Sequence, residues 1–226
     1  MSPFAARRDS VNLHLPFRDR REAGKLLGAE LTALQLPNDA IVLALPRGGV
    51  PVGFEVARAL GVPLDVVVVR KLGVPRQPEL AMGAIGSGGL RVLNEELIRQ
   101  EGISREDVDT IVAREAQEVE RREQLYRAGR PALNARSRTV ILVDDGLATG
   151  STILAAVKCV RTLQPSTVTV AAPVAAREAC EHMRERVGKC VCLATPEPFV
   201  AVGEWYEDFR PTTDSEVREL LRQSAC

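Results

Sequence analysis

Val140-Ile141-Leu142-Val143-Asp144-Asp145-Gly146-Leu147-Ala148-Thr149-Gly150-Ser151-Thr152 is the stretch from which the rest of the chain can be read. Its first four residues are apolar with no polar alternation, which predicts a strand buried on both faces. Two adjacent acids follow at the carboxyl end, then a run of small residues and hydroxyls that opens a helix. At the carboxyl edge of a parallel sheet, such a joint is where ligands bind. Backbone N–H groups from Thr149 to Thr152, with the hydroxyls of Thr149, Ser151 and Thr152, would form an anion cradle at the helix N-terminus. Carboxylates repel an anion, so Asp144 and Asp145 suit the hydroxyls of a sugar or a magnesium-bound sugar phosphate. A phosphorylated sugar satisfies both halves of the stretch. The plainer alternative is an Asp-Asp-Gly that only caps a helix and turns the chain.

Outward from this segment the same rhythm continues. Apolar spacing predicts a helix over Arg18 to Leu34, and Ala40 to Leu45 reads as a buried strand. The turn Pro46-Arg47-Gly48-Gly49 leads into a short helix ending near Leu60. Leu64 to Val69 predicts a second buried strand, ended by Arg70-Lys71, a pair that needs either solvent or an anionic partner. Downstream come a helix over Gly150 to Leu163, a strand over Thr167 to Ala172, a helix over Ala175 to Val187 and a strand over Cys190 to Ala194. A proline-punctuated tail, Thr195 to Pro211, precedes a last helix from about Asp214. The fold class is α/β, a parallel twisted sheet flanked by helices.

The middle of the chain breaks this pattern. Leu72 to Gly89 is rich in Gly and Pro and reads as a mobile loop leading into a hairpin of Ala84–Ile85 with Arg91–Leu93. Ser104-Arg105-Glu106-Asp107 reads as a capping box, opening a helix to about Tyr126 with Val108, Ile111, Val112, Glu115 and Val119 on one stripe. The mixed charges on its other faces read as a solvated surface.

Composition narrows the function. Of 226 residues, 30 are Lys or Arg and 30 are Asp or Glu, so the net charge is zero, unlike a strongly basic nucleic-acid binder. Aromatics make up only 4%, too few for a base-stacking surface. No apolar run approaches a membrane span, and the N-terminal residues lack the apolar core of a secretory signal, so a cytoplasmic location is expected. Cys159, Cys180, Cys190, Cys192 and Cys226 show no CxxC spacing and read as free thiols in a reducing compartment. His14 and His182, the two histidines, have no metal-ligand spacing. Gly-Lys-Ser/Thr is missing, which excludes a Walker phosphate loop.

The stretch from Val140 to Thr152 closely resembles the signature of type I phosphoribosyltransferases, which bind 5-phosphoribosyl 1-pyrophosphate. The resemblance covers roughly Asp39 to Ala194 and implies a role for each matching residue. Asp144 and Asp145 would hold the ribose hydroxyls. Gly146 and Leu147 would lie in the turn, and Ala148, Thr149, Gly150, Ser151 and Thr152 would wrap the 5-phosphate. Leu45-Pro46-Arg47-Gly48-Gly49 matches the family's pyrophosphate loop, with Arg47–Gly48 expected as its cis peptide. Arg70 and Lys71 would meet pyrophosphate, and Leu72 to Gly88 takes the place of the flexible catalytic loop, with Arg76, Gln77 and Glu79 as its polar candidates. Arg47, Lys71, Asp144 and Asp145 are the expected catalytic set.

Residues Phe199 to Arg210 are similar to the hood of hypoxanthine-type members, where an aromatic stacks on the base and an acid touches magnesium. Trp205 and Tyr206 are then the stacking candidates and Asp208 the metal candidate. Ala148 stands where such enzymes often carry Asp, whereas adenine-type members share both this Ala and the Arg-Lys pair, so the acceptor base stays open. The resemblance implies one domain over residues 1–226: core about 39–194, flexible loop 72–89, helical insertion about 94–128, and a hood from 1–17 and 195–226. It also implies Mg2+ as cofactor, a nucleobase-like acceptor, a homodimer, and membership of a bacterial subgroup carrying the insertion. The alternative on the same fold is a non-catalytic sensor of the sugar diphosphate or of nucleotides.

Overall fold

The computed structural model describes residues 13–37, 39–127, 129–131 and 134–224. In chain order its strands are β1 (Ile41–Ala44), β2 (Leu64–Val66), β3 (Val69–Val74), β4 (Gln77–Gly86), β5 (Leu90–Leu93), β6 (Thr139–Val143), β7 (Thr167–Val174) and β8 (Lys189–Ala194). The helices are α1 (Arg20–Ala33), α2 (Gly49–Leu60), α3 (Glu95–Gln100), α4 (Arg105–Arg127), α5 (Ser151–Arg161), α6 (Arg177–Val187) and α7 (Asp214–Gln223).

Five strands, ordered β2–β1–β6–β7–β8, form a sheet that is parallel throughout. Its strands are apolar without alternation because both faces are covered. Ile41, Leu43, Val140 and Leu142 pack against residues of α5 and α6, while Val42, Ala44, Ile141 and Val143 join a core with α1, α2 and α7. Strand order reverses between β1 and β6: the chain steps to β2 on one side, and to β7 and β8 on the other. Ala44 is in register with Val143, and the Leu45 N–H donates to the Val143 carbonyl at 2.9 Å. The loops after these two strands therefore leave the sheet side by side, at the crevice where open α/β sheets bind ligands.

Two expectations are corrected in the middle of the chain. The valine run does not continue as one strand. After Val66 it leaves the parallel sheet, and Val69 begins a second sheet, antiparallel, in the order β3–β4–β5. Arg70 and Lys71 thus lie within β3, opposite Ile85 and Ala84, rather than at the end of β2. Apolar character alone cannot show that a continuous run changes sheets. Residues 72–86 are likewise strand rather than loop, reversing at Pro75 and Arg76, where Arg76 takes φ 68°. The glycines there permit close strand crossing: a Cβ on Gly73 would stand 2.7 Å from the Pro78 carbonyl, and one on Gly83 2.4 Å from that of Val92. The expected pairing of Ala84 and Ile85 with Val92 and Arg91 is present.

Helix α4 begins where Ser104 Oγ accepts from the Asp107 N–H at 3.0 Å. Val108, Glu115, Val119 and Tyr126 are its buried stripe, and the Glu118–Arg121 and Glu118–Arg122 pairs stand on its outer face. It is pinned at several points. Arg127 grips Asp65 of β2 with two hydrogen bonds of 2.9 and 3.0 Å, and the Gly88 N–H donates to Glu123 at 2.9 Å. Short helix α3, capped by Asn94, opens the segment expected as a helical insertion over about 94–128. Among the described residues, no helix is long and apolar enough to cross a membrane.

Candidate active site

Asp144 and Asp145 leave the end of β6 at the switch point, both partly buried. The Asp145 N–H donates to Asp144 Oδ1 at 3.0 Å, which turns the first carboxylate back over the second residue's backbone. Burial pushes the Asp144 carboxyl well above the usual carboxylate range, and the charge of Asp145 adds to this. The compensating cation is Arg20, whose Nε donates to Asp145 Oδ2 at 2.8 Å. Arg20 stands at the first position of α1, its guanidinium 3.9 Å from the Phe209 ring centroid, with a further bond to the Arg210 carbonyl. Sequence reading missed it because 125 residues separate it from Asp145. One signal existed: a cation in the first helical turn works against the macrodipole unless a carboxylate faces it.

The loop after β1 lies against these acids. A Cβ on Gly48 would stand 2.0 Å from Asp145 Oδ2 and displace that side chain, and one on Gly49 would stand 2.7 Å from the Val143 carbonyl, where fixed backbone leaves room only for glycine. A cis peptide is present in this loop, at Pro46–Arg47 rather than at Arg47–Gly48. Gly48 already has helical φ and ψ, and the Arg47 carbonyl accepts from Val50, so the Arg47–Gly48 bond belongs to the first turn leading into α2. Arg47 is half-exposed, 3.9 Å from Asp214, which also accepts from the Tyr126 hydroxyl.

Beyond the acids, Gly146 packs under Val202 of the hood segment, and Leu147 exchanges backbone bonds with Val174 and Ala176. Ala148 and Thr149 are exposed. Gly150, at φ 69°, takes the N-cap position of α5 without a capping side chain, which leaves this helix end for a ligand. Thr149 Oγ1 donates to Ser151 Oγ at 3.1 Å and accepts from the Ser151 N–H at 3.3 Å. Lys71 reaches across from the antiparallel sheet, with Nζ 3.4 Å from Ser151 Oγ. The structure therefore brings together Asp144 and Asp145 after β6, Gly48 and Gly49 at the start of α2, Gly150 and Ser151 at the start of α5, and Lys71 of β3.

Four of the expected site residues turn elsewhere. Arg70, next to Lys71 on a strand, points to the opposite face and donates to Glu115 of α4 at 2.8 Å. Burial raises the Glu115 carboxyl, but Arg70 and Arg114 together outweigh that and hold it below its usual range. Tyr206 is buried among Phe17 and Phe209, its hydroxyl donating to the Asp145 carbonyl at 2.5 Å, so neither face is open to a base. Trp205 stacks on Phe199 at a centroid distance of 6.2 Å. Asp208 is taken up by Arg210, whose Nε and Nη2 donate to its carboxylate at 2.9 and 2.5 Å, holding it near a pKa of about 2. Asp144 and Asp145 are adjacent oxygen donors at the start of α5, the donor chemistry a hard divalent cation takes, with Asp145 also bonded to Arg20. The Glu79 side chain and residues 1–12 of the expected hood lie outside the described residues. Arg20 also lines a cleft of about 830 Å³ together with Asp208, Arg210, Thr213 and Glu216.

Comparison with known proteins shows the family of this chain. The family model of the phosphoribosyl transferase domain matches residues 30–207. A Mycobacterium tuberculosis protein, found as MT0597 in strain CDC 1551 and as Rv0571c in strain H37Rv, is 44% identical over 205 residues and is named provisionally as a phosphoribosyl transferase. That match covers 91% of this chain but 46% of the relative, so the chain spans about half the length of the curated relatives it matches. The solved structure of TT1426 from Thermus thermophilus is 44% identical, with a TM-score of 0.85 over 92% of this chain and 98% of that one.

Proposed function

The chain belongs to the phosphoribosyl transferase domain family, and from that premise we propose that it transfers the 5-phosphoribosyl group of 5-phosphoribosyl 1-pyrophosphate to a nitrogenous base. The observation that carries this reading is the joint at the switch point. Two acids, an uncapped helix N-terminus and a lysine converge there from β6, α5 and β3. In the proposed complex the acids hold the ribose hydroxyls and residues 148–152 hold the 5-phosphate, with Lys71 and Arg47 facing pyrophosphate. A nitrogen lone pair of the base forms the bond to the anomeric carbon as the bond to the pyrophosphate oxygen breaks. Pyrophosphate leaves with the electron pair, and the proton of the base passes to solvent. Positive charge from Lys71 and Arg47 stabilises the leaving group, and the loops fix the approach, so catalysis rests on charge and positioning. Magnesium, held through substrate oxygens and the Asp144–Asp145 pair, would supply further neutralisation of pyrophosphate. The cleft beside Arg20 offers a polar route for the acceptor.

A second reading, a sensor of the same sugar diphosphate, draws on the hood. There Tyr206 is buried and Asp208 is held by Arg210, which leaves a base fewer contacts than a transferase would use. One pair of measurements separates the readings: titration calorimetry of the sugar diphosphate with magnesium, then pyrophosphate release across a nucleobase panel. Binding with release supports the enzyme, binding without release supports the sensor, and no binding overturns both. Replacing both acids, Asp144→Asn with Asp145→Asn, is expected to weaken sugar-diphosphate binding by at least about tenfold, the loss of hydrogen bonds to charged groups.

A further inference from the structure

Three sulfur atoms outside the site just described converge between α6 and β8. Cys180 Sγ lies 4.0 Å from Cys190 Sγ, and Cys190 Sγ lies 3.7 Å from Cys192 Sγ. All three fall within 4.8 Å of one another. The sequence hides this: Cys190 and Cys192 are two apart on a strand, so they share one face, and Cys180 meets them from a helix ten residues earlier.

These distances are those of a coordination polyhedron. With metal–sulfur bonds of about 2.3 Å, two thiolates on one ion stand roughly 3.8 Å apart in tetrahedral geometry and roughly 4.0 Å apart in trigonal geometry. The two measured edges already have that length. Cys180 and Cys190 are buried in the core with Val170, Ala172, Ala179 and Met183, while Cys192 is partly exposed and opens a way in. A buried cysteine alone is an ordinary small apolar residue. Three whose sulfurs come together from two elements offer a ligand set, and among the described residues no His, Asp or Glu joins it.

We propose that Cys180, Cys190 and Cys192 form a three-thiolate site for a soft d10 cation. Soft sulfur donors select copper(I) and zinc. Zinc prefers four ligands, so three sulfurs without a fourth side chain match copper(I) in trigonal coordination best. Each thiol releases its proton to solvent as its sulfur–metal bond forms. The metal stays monovalent and no sulfur is oxidised.

The test uses the full chain, reduced and under argon, competing for copper(I) with a chromophoric chelator. The unmodified chain is expected to withdraw one equivalent and to melt at a higher temperature once loaded. Cys180→Ala, and Cys192→Ser at the partly exposed position, are each expected to weaken withdrawal by roughly tenfold or more, at least the loss seen when a ligand's supporting shell is removed. Cys159→Ala, in a separate core under the β4 strand, should leave withdrawal unchanged. Circular dichroism melts of each metal-free variant separate loss of folding from loss of a ligand, and Cys192→Ser keeps the test decisive if Cys180→Ala does not fold. Failure of the unmodified chain to draw copper(I) overturns the proposal. So does full withdrawal by a folded Cys180→Ala or Cys192→Ser variant, or equal loss in a folded Cys159→Ala variant.

Discussion

The surroundings of Asp144 disfavour its charged form. Burial and the neighbouring charge of Asp145 raise its carboxyl well above the usual range, and Arg20 is bonded to Asp145 rather than to Asp144 itself. A carboxyl raised in the folded state contributes stability below its unfolded pKa, and that contribution is lost as pH rises through the folded value. Asp144→Asn removes the loss. The variant is therefore expected to melt above the unmodified chain at neutral pH, by ~2–4 °C for each kcal/mol recovered, with the gap closing as pH falls toward 4. Melting curves across that range check the sign. An unmodified chain that melts higher at pH 7 would contradict the placement of Asp144. At this scale the two acids were readable because they sit in a local pattern, strand end followed by helix start. Arg20 was not, since only the folded chain brings the start of α1 to β6. The identities of Tyr206 and Asp208 suggested base and metal contacts, but sequence does not tell which way a side chain turns. Phe209 and Arg210 claim them instead.

Among the elements, the antiparallel sheet departs most from its sequence reading. Its glycines and prolines look like loop chemistry, whereas here they allow strands to cross closely and reverse. The strand's two-residue period also separates neighbours that appeared to be a pair: Lys71 turns toward α5 and Arg70 toward α4. Lys71→Met is expected to weaken sugar-diphosphate affinity by about tenfold or more, as for loss of a charge-assisted contact. Arg70→Met should leave that affinity within about twofold. Its partner Glu115 keeps Arg114, and Arg70 is partly solvated, so the cost to stability is about 1 kcal/mol. Calorimetry and thermal melts on the two variants decide it, and a similar affinity loss in both would return Arg70 to the site. The parallel-sheet elements, by contrast, were readable almost to their ends, because burial on both faces leaves unbroken apolar runs and helices of short, regular length between them.

At the scale of the whole molecule, the candidate site lies where two sheets meet. One supplies the acids and the N-terminus of α5, the other supplies Lys71. A ligand that touches both would couple their unfolding. At roughly 100-fold excess over its Kd, such a ligand stabilises the fold by about 2.7 kcal/mol, which raises the melting temperature by roughly 5–10 °C. The same addition should leave the melt of the double variant, Asp144→Asn with Asp145→Asn, unmoved; an equal rise there would place the ligand elsewhere. What joins the sheets could not be read in advance, since a run of valines says nothing about where a chain changes partners. A different kind of constraint follows from the 2.0 Å that would separate a Cβ at position 48 from Asp145 Oδ2. An alanine there would push the Asp145 carboxylate off Arg20. Substitutions at 48 and 145 are therefore expected to be non-additive, because with residue 145 shortened first an alanine at 48 would meet no carboxylate.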